Sequence, residues 1–182
     1  MTSLSAPGKT ASGLLLNSEQ TIELMRGQLA TFLINHQLML ATAESCTGGM
    51  IAAACTDLAG SSAWFERGFV TYSNDAKTEL LSVPADLIQA HGAVSEPVAR
   101  AMVQGAITHS PAKVAVAVTG VAGPTGGSAE KPVGTVWFGF ATPAGVVTEL
   151  RQFGGDRAAV RAATVQHALL RLLEILAPNR SR

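Results

Sequence analysis

The stretch Leu38-Met39-Leu40-Ala41-Thr42-Ala43-Glu44-Ser45-Cys46-Thr47-Gly48-Gly49-Met50, continued by the Ala-rich segment to Leu58, decides the fold. Leu38 to Ala43 is a short apolar run of strand length. Glu44 to Gly49 is polar and ends in two glycines, and Met50 to Leu58 is rich in the best helix-forming residue. The reading is strand, polar turn, helix, the first half of an α/β unit.

Outward from this unit the same alternation continues. Upstream, Asn17 and Gln20 form a capping pair, and Ile22, Met25, Leu29, Phe32 and Leu33 recur at helical spacing to about His36. Residues 1–16 are rich in Ser, Ala, Gly and Thr without periodicity and read as a disordered arm. Downstream, Trp64 to Ser73 holds β-formers, and Asn74-Asp75 opens a helix that runs through Leu81 and stops near Pro84. Ser95 stands as an N-cap before Glu96-Pro97 and a helix to about His109. Val114 to Val118 is a buried central strand by its β-branched content, and Thr119 to Gly134, with five glycines and two prolines, is a long shaped loop. Thr135 to Ala141 and Val146 to Phe153 flank the turn residues Pro143-Ala144-Gly145 as a hairpin. Asp156 caps a last helix whose apolar side carries Val160, Leu169, Leu172 and Leu176, and a tail follows from Pro178. The expected fold is a three-layer α/β/α sandwich with a mixed, mostly parallel sheet, forming one domain over residues 17–177 with a tail at 178–182.

Composition narrows the function. With 182 residues, of which 47% are hydrophobic, the chain can bury a core; with 13 Lys+Arg against 13 Asp+Glu, it offers no broad basic surface to nucleic acid. The longest purely apolar run is six residues, far short of the roughly 18 that a membrane helix needs, and the N-terminus lacks the apolar segment of a signal peptide. Cys46 and Cys55 lie nine residues apart, about 180° around a helix, so a reduced, cytoplasmic chain without a disulfide is expected. No His or Cys pair has metal-ligand spacing, so neither a metal nor another cofactor is expected. A homo-oligomer is compatible with the sequence.

Polar residues gather at three strand ends: Glu44 to Gly49, Tyr72 to Lys77 and Thr119 to Gly134. In open α/β sheets these ends form the ligand crevice. Ser45 and Thr47 would stand at a helix N-terminus, where backbone N–H groups favour an anion or a developing oxyanion, and Gly48 and Gly49 would let a ligand approach the backbone. His36, His91 and His109 fall near predicted helix ends and His167 inside the last helix, which leaves a serine nucleophile without a histidine base. Lys77 is the available base if burial or a helix N-terminus depresses its pKa. Cys46 competes with Ser45 as nucleophile, since a thiol needs less help from a base. The residues alone lead to a small anionic ligand at the strand ends.

The strings AESCTGG (43–49), AGSSAWF (59–65), GFVTYSNDAK (68–77), HGAVS (91–95), TGVAGP (119–124), KPVGTV (131–136) and GDR (155–157) occur in the same order in the CinA C-terminal-domain family of nicotinamide-nucleotide amidohydrolases, and roughly residues 17 to 176 resemble it. The resemblance implies hydrolysis of the carboxamide of nicotinamide mononucleotide to nicotinic acid mononucleotide and ammonia, a salvage step towards NAD. It implies Ser45 as nucleophile and Lys77 as base, with Tyr72 assisting. Thr47, Gly48, Gly49, Asn74, Thr119, Gly120 and Arg157 are the expected contacts to a small-molecule nucleotide. A nucleotide-binding or regulatory module that keeps the pocket without turnover is the alternative.

Overall fold

The computed structural model describes residues 18–177. The expected arm over 1–16, the Asn17 cap and the tail at 178–182 lie outside the described residues. The chain runs through α1 (Ser18–Asn35), β1 (Leu40–Glu44), α2 (Met50–Thr56), β2 (Phe65–Val70), α3 (Asn74–Leu81), α4 (Ala85–His91), α5 (Glu96–Thr108), β3 (Val114–Gly120), β4 (Thr135–Thr142), β5 (Gly145–Gln152) and α6 (Arg157–Leu176).

The five strands form one sheet in the order β2-β1-β3-β4-β5. β1 pairs in parallel with β2 and β3, while β4 is antiparallel to both β3 and β5, so β4 alone runs against the other four. The strand alternation separates two cores. Leu40, Val114, Val116, Val118, Phe138 and Phe140 face the layer that includes α1, α2 and α6. Ala41, Ala43, Ala115, Ala117 and Ala141 face the layer that includes α3, α4 and α5. This is an α/β fold with a mixed sheet between two helical layers.

The second face is lined by small residues because α5 lies very close to it. A Cβ on Gly139 of β4 would stand 2.6 Å from the Ala99 carbonyl of α5 and 3.0 Å from a Val103 methyl. The approach brings α5 over β3 and β4, where Met102, Val103 and Ala106 are fully buried.

Chain order and sheet order together place the crevice. From β1 the chain crosses through α2 to β2 at the edge, then returns through α3, α4 and α5 on the opposite face to β3, on the other side of β1. The carboxyl ends of β1 and β3 therefore lie side by side where the direction of winding reverses, the usual place for a ligand in such sheets.

Several expected elements are adjusted. The Trp64–Ser73 strand shortens to Phe65–Val70, because Trp64 is buried before it and Tyr72-Ser73 turns into α3, whose N-cap is Ser73. Ser95 stands at the N-cap of α5, but its hydroxyl donates to the Gly92 carbonyl at 2.8 Å and caps no helical N–H. β3 extends to Gly120, two residues into the expected loop. α4 has no counterpart in the sequence reading.

Gly139→Ala is expected to destabilise the protein by about 1–3 kcal/mol, the usual cost of overpacking a filled core. Urea denaturation measures this. An unchanged midpoint would show that α5 can move off the sheet freely.

Candidate active site

Ser45 directly follows β1, and its N–H donates to the Val118 carbonyl of β3 at 3.1 Å, which pins it at the winding reversal. The next residues form the turn into α2, with Gly48 at φ 60° and Gly49 at φ 98°. Both values fall in the left-handed region that side chains rarely adopt, which explains the paired glycines.

Lys77 reaches this point from α3. The helix starts at Ser73, whose Oγ accepts from the Ala76 N–H at 3.0 Å, and one turn places Lys77 facing inward with only 1% of its surface exposed. Its Nζ donates to the carbonyls of Thr71 at 3.0 Å, Tyr72 at 3.3 Å and Ser73 at 3.4 Å, and lies 3.2 Å from Ser45 Oγ. None of these partners is a carboxylate. Burial disfavours the ammonium form and lowers the Lys77 pKa. The arrangement pairs an alcohol with an amine whose proton is held less tightly than that of a solvated lysine.

Cys46 also lines the cleft, but burial pushes its thiol up to about 11, so it is held protonated at neutral pH. Cys46 and Cys55 are both free.

A cleft of about 200 Å³ opens over Ser45 and Lys77. Tyr72, Asn74, Thr119, Gly120 and Arg157 line it with them, whereas Thr47, Gly48 and Gly49 do not. The Tyr72 side chain is 63% exposed, and its phenol oxygen accepts from Arg157 at 3.4 Å, so it stands at the rim. Arg157 also donates to the Gly123 carbonyl at 3.0 Å, joining α6 to the loop after β3. The buried Thr119 hydroxyl donates to the Ala93 carbonyl at 2.8 Å, which brings the segment before α5 to the cleft wall. The larger groove of about 1280 Å³ between α1 and α6 lies elsewhere and contains neither Ser45 nor Lys77.

Sequence reasoning gave no role to Glu44, which is fully buried and accepts five hydrogen bonds. Its one sequence signal is an acidic residue between an apolar strand and a glycine turn. Arg161 was also missed; it donates to the Thr47 carbonyl at 2.9 Å across 114 residues, a separation no local pattern reveals. His36, His91, His109 and His167 line no part of the cleft. Among the described residues no group of three or more His, Cys, Asp or Glu side chains gathers as a metal set, and no helix is long and apolar enough to cross a membrane.

Residues 22–176 match the model of the CinA C-terminal domain. The chain belongs to this family. It is 49% identical over 171 residues to the nicotinamide-nucleotide amidohydrolase PncC of Escherichia coli K12, covering 93% of this chain and 99% of that protein. It is 56% identical over 151 residues to the PncC of Pseudomonas putida, covering 81% and 94%. The crystal structure of the competence/damage inducible protein CihA from Agrobacterium tumefaciens superposes with a TM-score of 0.83 at 47% identity, over 85% of this chain and 95% of that one.

The Lys77 environment has a consequence for stability that is independent of any activity. Between its lowered pKa and the ordinary lysine value of about 10.4 the unfolded chain binds the proton that the folded chain releases, so stability rises with pH across that window. Urea denaturation from pH 7 to 10 should show wild-type protein gaining stability relative to Lys77→Met as pH rises. Parallel pH dependences would contradict a lowered pKa.

Proposed function

We propose that the protein is an enzyme that hydrolyses the carboxamide of nicotinamide mononucleotide to nicotinic acid mononucleotide and ammonia, with Ser45 as nucleophile and Lys77 as base. Two close relatives bear the name nicotinamide-nucleotide amidohydrolase, which supports the reaction and the substrate. The observation that carries the mechanism is the 3.2 Å approach of Lys77 Nζ to Ser45 Oγ, by an amine whose other partners are backbone carbonyls.

Neutral Lys77 accepts the Ser45 proton as Oγ attacks the amide carbon. The carbonyl electrons move onto oxygen. The Cys46 N–H, next in sequence to the nucleophile and on a residue that lines the cleft, is suited to hold that oxyanion. Lys77 then returns the proton to the amide nitrogen, the C–N bond breaks and ammonia leaves. Water, deprotonated by Lys77, cleaves the resulting ester, and nicotinic acid mononucleotide departs with Ser45 regenerated.

The cleft is smaller than the ~300–1,000 Å³ of common ligand pockets. It suits a single carboxamide-bearing ring, with ribose and phosphate lying across the rim. There Arg157 supplies the positive charge, Tyr72 and Asn74 offer polar side chains, and Thr119 and Gly120 border the ring. Tyr72 on this reading assists through substrate placement, since its phenol meets Arg157.

Ammonia release from nicotinamide mononucleotide by purified protein tests the proposal. The rate is expected to fall as pH drops below the lowered Lys77 pKa, where the ammonium cannot accept a proton. Ser45→Ala should lose at least about 10³-fold in kcat and Lys77→Arg nearly all turnover, while Cys46→Ala stays within a few fold. Nucleotide binding without ammonia release would favour a module without turnover, and near-normal turnover by Ser45→Ala would remove the serine mechanism.

A further inference from the structure

Glu44 ends β1 one residue before the proposed nucleophile, and no solvent reaches it. Its Oε2 accepts from Thr47 Oγ1 at 2.7 Å, Gly49 N at 3.1 Å and Ile51 N at 2.9 Å, and its Oε1 from Thr42 Oγ1 at 3.2 Å and Ala52 N at 2.8 Å. Its own carbonyl accepts from the Thr71 N–H at 2.8 Å, and the Thr71 carbonyl in turn receives Lys77 Nζ. One residue thus touches both the turn that carries Ser45 and the strand end that holds the base.

We infer that Glu44 is a positioning residue for the amide hydrolysis: its buried carboxylate takes up the Ile51 and Ala52 N–H groups in the first turn of α2, the Gly49 N–H and the Thr47 hydroxyl, and so fixes the turn that carries Ser45 and the Cys46 N–H at the cleft. The inference rests on the amidohydrolase reading. The start of a helix leaves N–H groups without partners, and these attract any anion nearby. Here Gly49, Ile51 and Ala52 are already satisfied by the chain's own carboxylate. A carboxylate offers acceptors only, on both oxygens. An amide in its place would turn an NH₂ group either towards the Ala52 N–H or towards the Gly49 and Ile51 N–H groups, and donor would face donor. The Thr47 hydroxyl, which the sequence suggested for substrate, is spent on Glu44 and faces away from the cleft lining.

Steady-state ammonia release from nicotinamide mononucleotide, with Thr47→Val, Thr47→Ser, Glu44→Gln and the double variant Glu44→Gln/Thr47→Val, separates the roles. Thr47→Val keeps shape and backbone but loses the donor; kcat is expected to fall ~10-fold with KM within ~2-fold, and Thr47→Ser to restore most of the loss. Glu44→Gln is expected to lose ~10²-fold in kcat, and the double variant no more than Glu44→Gln alone, because both changes act on one contact. If Glu44→Gln fails to fold, as judged by thermal melting, the Thr47 pair decides alone. A raised KM with unchanged kcat in Thr47→Val would make the hydroxyl a substrate ligand and overturn the inference, as would additive losses in the double variant. Absence of ammonia release by wild-type protein would overturn the amidohydrolase reading and this inference together. Wild-type turnover with an unaffected Thr47→Val would overturn the inference alone.

Discussion

The amine of Lys77 sits inside the protein against three backbone carbonyls and one serine hydroxyl, without an anionic partner among them. A buried ammonium in such a place lacks the charge that usually compensates its lost hydration, so its pKa is lowered. Much of the local architecture serves this placement. The three residues after β2, Thr71 to Ser73, turn their carbonyls inward, Ser73 caps α3 so that Lys77 falls one turn later on the inner face, and the β1–β3 pairing holds Ser45 within reach.

A buried carboxylate on the neighbouring strand could undo the arrangement, because an ion pair would hold Lys77 protonated. Glu44 does not bond to Lys77. Its two oxygens are occupied by hydroxyl and backbone donors of its own turn. The same strand end thus carries a carboxylate satisfied by its own turn and, beside it, the Ser45 hydroxyl that faces Lys77. Backbone hydrogen bonding keeps the carboxylate and the amine in separate networks.

The β1–turn–α2 unit was legible because its apolar run, two glycines and alanines are local signals, and β3 declared itself through Val114 to Val118. The segregation of valine to one face and alanine to the other was present in that run, but its meaning, the close approach of α5, needed the third dimension. α4 was not legible: Ala85 to His91 is under two turns long, too short for a helical period to emerge between Pro84 and Gly92. Ser95 was read correctly as a position and incorrectly as a hydrogen bond, since the Gly92 carbonyl competes for its hydroxyl. At the site, Ser45 and Lys77 stand out by chemistry and by resemblance, and the structure brings them within hydrogen-bond distance across 32 residues. Glu44 stayed hidden because its contacts depend on where five donors converge, and one of those donors is the hydroxyl of Thr47, which local pattern alone could not reveal.

Whether Ser45 forms the covalent bond is the point on which the account turns. Rapid quenching of the reaction with nicotinamide mononucleotide, followed by peptide mapping in a mass spectrometer, locates the acyl group directly. The account predicts an ester on Ser45 that is absent in Ser45→Ala; an adduct on Cys46 that persists in Ser45→Ala, with turnover intact, would contradict it.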